Sequence, residues 1–139
     1  NLCIHRENRI PCVRAGMIPV LLKLVSNHSE GLVDESLSLL AMVAAHHEAA
    51  EAMGNEGAVP CLMGIIKDGS QHPRNKENAV VILQAICSND RSHFKAMRGD
   101  RNGYINVLID LSETGTSRAK RKACAIIDRM MKQEHISTI

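Results

Sequence analysis

The feature that most constrains the fold is one apolar pattern that occurs three times at nearly equal intervals. With Ser36, Ala79 and Ala123 each taken as position zero, the residues at positions zero, three, four and seven are small or apolar in all three segments. That spacing places the four side chains on one face of an α-helix. The starting residues lie 43 and 44 positions apart, which indicates one helical unit repeated along the chain.

A glycine precedes each stripe by about 20 residues, at Gly16, Gly57 and Gly103. In the first two copies a proline, Pro19 or Pro60, follows three residues later. Glycine takes the left-handed conformation at a helix end without steric cost, and proline suits the first turn of the next helix. Each glycine is therefore predicted to separate a short helix from a second helix, which covers residues 19–25, 60–67 or 104–111.

Polar segments rich in Gly, Ser, Asn and Asp follow the second helices, at residues 26–32, 68–74 and 112–117, and are predicted to be loops. Each unit then holds a short helix, a second helix and a long third helix, as in armadillo repeats, whereas HEAT repeats have two helices. The predicted fold is all-α, a right-handed armadillo superhelix. Its repeats are expected at residues 8–48, 49–90 and 91–139, after the end of a preceding repeat at residues 1–7.

Composition excludes several function classes. Hydrophobic residues make up 45% of the chain but aromatics only 1%, which favours aliphatic helix packing over a sheet. A net charge of +2 gives no reason to expect nucleic acid or an anionic membrane as partner. No apolar run approaches the roughly 18 residues of a membrane span. Five dispersed cysteines without a Cys-x-x-Cys motif predict free thiols and a cytoplasmic location, with the nucleus as an alternative.

The sequence gives only weak signals for a metal site, a catalytic site or an import signal. Adjacent His46 and His47 point about 100° apart on a helix and share one metal ion poorly, so we interpret them as the end of a third helix. A catalytic Cys–His pair has no local signature, and no paired acids, nucleophile or phosphate loop indicate an enzyme. No cofactor is expected. The basic run at residues 118–122 suits either a nuclear-import signal or, as we favour, the solvated start of a long helix.

In a stacked helical array the third helices lie side by side and form the concave wall. If the stripe faces the core, positions two and six face this groove. The residue immediately before position zero is predicted to lie beside them on the groove surface. The predicted protein-binding groove therefore consists of Glu35, Ser38, Met42, Asn78, Val81, Ala85, Lys122, Ala125 and Arg129.

Several segments resemble the C-terminal armadillo repeats of plant U-box E3 ubiquitin ligases. They are Arg-Asn-Lys-Glu-Asn-Ala at 74–79, the Thr-Gly-Thr-Ser stretch with its basic run at 114–123, Val-Asp-Glu-Ser-Leu at 33–37, and Asn-Leu-Cys-Ile at 1–4 with Asn8 and Arg-Ala-Gly at 14–16. The resemblance implies that the parent's U-box binds the ubiquitin-loaded E2 enzyme while these non-catalytic repeats choose the target. Expected partners are folded proteins such as a receptor-like kinase or a ubiquitination target. The alternative is an armadillo-only adaptor or scaffold without ligase activity.

Two departures from armadillo patterns are informative. Armadillo proteins that carry nuclear-import peptides place Asn at position six and often Trp at position two, whereas here position six is Met42, Ala85 or Arg129 and the chain has no Trp. A groove of this kind suits a helix or a folded surface better than an extended peptide. Leu2 and Ile4 are expected to belong to a helix whose repeat is missing, so an exposed apolar end is predicted there, with either fraying or self-association.

Overall fold

The computed structural model describes residues 5–27, 31–99 and 103–138, without the side chains of 133–138. Within these ranges all regular structure is helical, which confirms the all-α prediction; Leu2 and Ile4 lie outside them. The third helix of each successive triplet is the longest. In chain order the helices are α1 Arg6–Arg14, α2 Met17–Ser26, α3 Val33–Val43, α4 His47–Asn55, α5 Ala58–Lys67, α6 Pro73–Asn89, α7 Ser92–Arg98, α8 Tyr104–Thr114 and α9 Ser117–Thr138.

The three predicted glycine turns are confirmed. Gly16, Gly57 and Gly103 have φ angles of 94°, 73° and 74° and stand immediately before α2, α5 and α8. A residue with a Cβ is strained in this left-handed region, which explains glycine at each turn. The predicted starts of α2 and α5 were two residues late, because Pro19 and Pro60 occupy the third helical position, where an N–H still lacks a helical acceptor.

The loop predicted at residues 112–117 is much shorter, since α8 continues to Thr114. The hydroxyl of Ser112 donates to the carbonyl of Ile109 at 2.6 Å, and that of Thr114 donates to the carbonyl of Asp110 at 2.9 Å. Both hydroxyls therefore bond back to the preceding helical turn instead of ending the helix.

Most of the apolar stripe lies in the core, and only Leu39 and Ile127 of the stripe are half-buried. Ala79 and Ala123 are fully buried, and Ser36, the third residue at position zero, is also buried. Leu37 and Val80, one residue beyond the predicted stripe, are buried as well. The buried face of α3 and α6 is wider than the sequence pattern because each of these helices is covered by its own unit and by the next one.

The helices stack in two layers. The third helices pack in the order α3, α6, α9, and the second helices pack in the order α2, α5, α8. Within each unit the second and third helices also contact each other, so the layers share one core. In the described part of the chain, no helix has both the length and the apolar character that crossing a membrane requires.

The interpretation of His46 and His47 as the end of a third helix is wrong. Helix α3 ends at Val43, and His46 directly precedes α4, whose first residue is His47. Glu48 lies in the first turn of α4, where the helix dipole stabilises a carboxylate. The His47 Nε2 atom lies 3.3 Å from a carboxylate oxygen of Glu51, one turn further along.

Candidate protein-binding surface

All nine predicted groove residues lie on the layer of third helices, and none of them is buried. We call this set the third-helix surface. The structure brings Ser38 and Asn78 together, because the Asn78 amide donates to the Ser38 hydroxyl at 3.5 Å across the α3–α6 contact. Glu35, Ser38 and Arg129 are exposed, and the others are half-buried. Its role in binding remains a prediction.

Charge changes sign along the third-helix surface. Asp34 and Glu35 lie in the first turn of α3, where the helix dipole stabilises them. Four basic residues, Arg118, Lys120, Arg121 and Lys122, stand at the equivalent start of α9, and the charge of each opposes the dipole by roughly 0.3–1 kcal/mol. Because helix stability does not account for these cations, a negatively charged partner group is a physical reason for them. The starts of α3 and α9 therefore carry opposite charge.

A buried amide fastens the first two units beneath this surface. Asn75 is 4% exposed, and its Nδ2 atom donates to Asp34 at 2.6 Å and to Gln71 at 3.0 Å. The Asp34 bond joins α6 to α3, which are neighbours in the third-helix layer. A hydrogen bond to a carboxylate is among the stronger ones in proteins. Asn75 therefore helps to hold α3 and α6 in a fixed relation.

A second fastening joins the last two units. The Thr116 hydroxyl donates to Glu77 on α6 at 2.7 Å and accepts the N–H of Ala119 at 3.1 Å, which caps the start of α9. The segment 74–79, recognised in the sequence as a family signature, thus supplies links to both neighbouring units. Sequence reasoning missed this role, although the acids two positions before Ser36 and Ala79 were a visible signal.

Ala85 also borders a cleft between the ends of α3 and α6 and the start of α4. The cleft holds about 370 Å³ and is lined by small and polar residues, namely Ala44, Ala45, His47, Ala50, Ala85, Ser88 and Asn89. The side-chain oxygen of Asn89 is buried and has no hydrogen-bond partner within the described ranges. An unpaired buried acceptor is costly, so a donor from a partner would be favoured here. Asn89 lies beyond the repeated stripe, and its role could not be found from the pattern.

Two kinds of reactive chemistry concern the described residues, a metal-ligand cluster and an activated thiol. No three His, Cys, Asp or Glu side chains among them are placed to hold a metal ion. Burial, with a smaller contribution from Asp90, raises the pKa of Cys87 to about 12. Since the thiolate is the nucleophilic form, Cys87 is an inert core residue. The accessible side chains of the third-helix surface can form polar and apolar contacts with another molecule.

Comparison with known proteins gives one family and a consistent set of relatives. The neurochondrin family model matches residues 8–136. U-box domain-containing protein 9 of Arabidopsis thaliana is 44% identical over 93% of this chain, and U-box domain-containing protein 13 of the same plant is 41% identical over 72%. U-box domain-containing protein 12 of Oryza sativa subsp. japonica is 43% identical over 72%.

The resemblance to plant U-box proteins, drawn from the sequence motifs, is thereby confirmed. The match is partial on the side of the relatives. The chain spans 27%, 14% and 16% of the lengths of these three proteins.

Proposed function

This chain belongs to the neurochondrin family, and we propose that it is the partner-binding part of a plant U-box E3 ubiquitin ligase. The third-helix surface carries the proposal, because it is accessible in every unit and its helices are fastened to one another by Asn75 and Thr116. A surface held in this way loses little conformational entropy when it binds. In this proposal ubiquitin transfer needs the U-box of the whole protein, while these repeats select the substrate. The free thiols at Cys12 and Cys61 suit the reducing cytoplasm or nucleus.

The chemistry of the surface favours a folded partner with an exposed helix. Armadillo proteins that carry nuclear-import peptides place side-chain amides at position six, and Met42, Ala85 and Arg129 offer none there. The amide of Asn78 already bonds to Ser38. A helix could instead lay an apolar stripe along the centre of the surface. Its basic end would face α3 and its acidic end would face α9.

A protein-capture experiment tests this proposal. The whole chain is immobilised as wild type, as the double variant Met42→Glu and Arg129→Glu, and as the control Lys132→Glu. Lys132 is an exposed cation on the same helix as Arg129 and belongs to no predicted groove position. Proteins captured from plant extract are identified by mass spectrometry, produced pure, and titrated by calorimetry. We expect at least tenfold weaker binding to the double variant, about 1.4 kcal/mol, and none of that loss in the control.

Equal affinity of all three proteins for every purified partner would refute binding at the third-helix surface. Circular dichroism of each variant checks that its fold is retained. The ligase half of the proposal is tested separately with the full-length protein, by reconstituting ubiquitin transfer to the captured partner. Binding without transfer would leave the adaptor alternative and refute the substrate role.

A further inference from the structure

The cleft beside Ala85 lies between the first and second units, where α3, α4 and α6 meet. Ala85 occupies position six of its helix, and the other two units carry the longer Met42 and Arg129 at that position. The cleft holds about 370 Å³, near the lower limit of the range of roughly 300–1,000 Å³ for ligand sites. We call it the Ala85 cleft, and its size suits a single side chain of another protein.

The lining of the Ala85 cleft combines apolar and polar groups. Four of its seven lining residues are alanines, at positions 44, 45, 50 and 85, and the other three are His47, Ser88 and Asn89. Alanine methyl groups contact an alkyl chain through dispersion and offer it no hydrogen bond. A side chain with an alkyl stem and a polar end therefore matches this lining.

The electrostatic environment of the cleft favours a cation. The carboxyl ends of α3 and α6 border it through residues 44–45 and 88–89, and such an end carries a partial charge of about −0.5. The amino end of α4 adds an opposite partial charge, but two exposed acids, Glu51 and Asp90, adjoin lining residues along the chain. Hydrogen bonds from Ser92 lower the pKa of Asp90, so this acid is ionised at neutral pH. No lysine or arginine is among the residues that line the cleft.

Asn89 supplies a hydrogen-bond acceptor for the cation. Its side-chain oxygen is buried and has no hydrogen-bond partner among the described residues. The side chain lines the cleft, and the amide turns easily about χ2, a torsion with a broad minimum, so the oxygen can meet a donor placed there. Such a donor removes the cost of an unsatisfied buried acceptor. It therefore gains more at Asn89 than at an acceptor that water already satisfies.

A guanidinium group fits these acceptors better than an ammonium group. The acceptors are spread over two helix ends and the Asn89 amide, and a guanidinium presents five N–H donors in one plane, whereas an ammonium is a compact point charge. The chain itself contains such a contact in the third unit, where Arg98 donates to the backbone carbonyl of Met130 on α9 at 3.2 Å.

We propose that the Ala85 cleft binds an arginine side chain of the partner protein, with its alkyl stem against the alanines and its guanidinium donating to Asn89. The arginine comes from the partner, so in this respect the proposal rests on the partner-binding function proposed above. It adds one required residue to that partner, at the end of its helix that faces α3.

Small probes test the cleft without any partner. n-Butylguanidinium carries the stem and head group of arginine, n-butylurea is its uncharged counterpart of the same shape, and n-butylammonium represents lysine. Each probe is titrated at constant ionic strength into the isotope-labelled 139-residue chain, and amide chemical shifts are followed by NMR. We expect n-butylguanidinium to saturate with a dissociation constant on the order of 1–10 mM and to shift the amides of residues 44–50 and 85–90. n-Butylurea should bind at least about tenfold more weakly, since it lacks the charge.

Two variants with matched controls locate the site. Ala85→Met introduces the position-six residue of the first unit and should abolish saturable binding, because it fills the cleft. Ala125→Met makes the same change on α9, away from the cleft, and should leave the affinity unchanged. Asn89→Asp adds a charge at the acceptor and should tighten the binding of n-butylguanidinium by roughly threefold to tenfold. Asn78→Asp, elsewhere on α6, should have no effect. Circular dichroism checks that each variant retains its fold.

Four results would overturn the proposal. They are equal affinities for n-butylguanidinium and n-butylurea, tighter binding of n-butylammonium than of n-butylguanidinium, saturable binding that survives Ala85→Met, and an affinity that Asn89→Asp does not raise. No partner is present in these titrations. Their failure would therefore leave the capture result standing, and a failed capture would leave the probe affinities standing.

Discussion

The Asn75 amide offers the sharpest test of how the third-helix surface is held together. Asn75→Ala removes a 2.6 Å bond to the Asp34 carboxylate and a 3.0 Å bond to Gln71. A bond to a charged group contributes about 1.5–3 kcal/mol and a neutral one about 1 kcal/mol. Because Asp34 is exposed and can be rehydrated, part of this is recovered, and we expect a loss of about 2 kcal/mol in the free energy of unfolding. Asn75→Asp should cost more, since it places two carboxylates together.

Urea unfolding followed by circular dichroism measures this loss. The matched control is Asn78→Ala, on the same helix, whose 3.5 Å bond to an exposed Ser38 should be worth less than about 0.5 kcal/mol. Since Asn75 joins two units, its loss should also reduce cooperativity and lower the dependence of stability on urea. Equal losses at the two asparagines would refute the idea that Asn75 links α3 to α6.

Further predictions concern single residues. Gly115→Ala should destabilise the fold by about 1–3 kcal/mol, because a Cβ there lies 2.8 Å from a carbonyl oxygen of the preceding turn. Gly64→Ala, whose Cβ would have nothing within 4 Å, should instead stabilise α5 by up to about 1 kcal/mol. The melting temperatures of the two variants measure both effects. Cys87, whose burial raises its pKa to about 12, should resist iodoacetamide at pH 8 until the chain is unfolded, as peptide mass spectrometry can measure. The hydrogen bond from Arg14 lowers the pKa of Glu48 from 4.5, so the pair's contribution to stability is present at neutral pH and is lost as pH falls below 4.5. The melting temperature of Glu48→Gln should therefore fall less than that of the wild type as the pH is lowered below 4.5.

Features set by local chemistry could be predicted from the sequence. Gly57 is required by a positive φ at its turn, and Ala79 starts a stripe with helical spacing, so each carries its own signal. The ends of helices were predicted less well. His46 is predicted at the end of α3, where an imidazole could meet free carbonyls, but α3 ends at Val43 and Glu48 at the start of α4 bonds to Arg14 of α1.

The links beneath the candidate surface could not be predicted, because their partners are distant in sequence. Asn75 and Asp34 are 41 residues apart, and Thr116 and Glu77 are 39 apart. Periodicity shows which face of a helix is apolar but not which polar side chains meet across units. Residues 74–79, which match a family motif in the sequence, therefore supply hydrogen bonds between units in the structure.

Comparison between units separates two kinds of accessible surface on this chain. The positions of Glu35, Asn78 and Lys122 are accessible in every unit, so stacking never covers them and they stay free for another protein. The positions of Val20 and Met131 are accessible only at the ends of the stack and are covered wherever a neighbouring unit is present. Val20→Glu should consequently leave the affinity for a partner of the third-helix surface unchanged, and weaker binding of that variant would show that the partner also contacts the end of the stack.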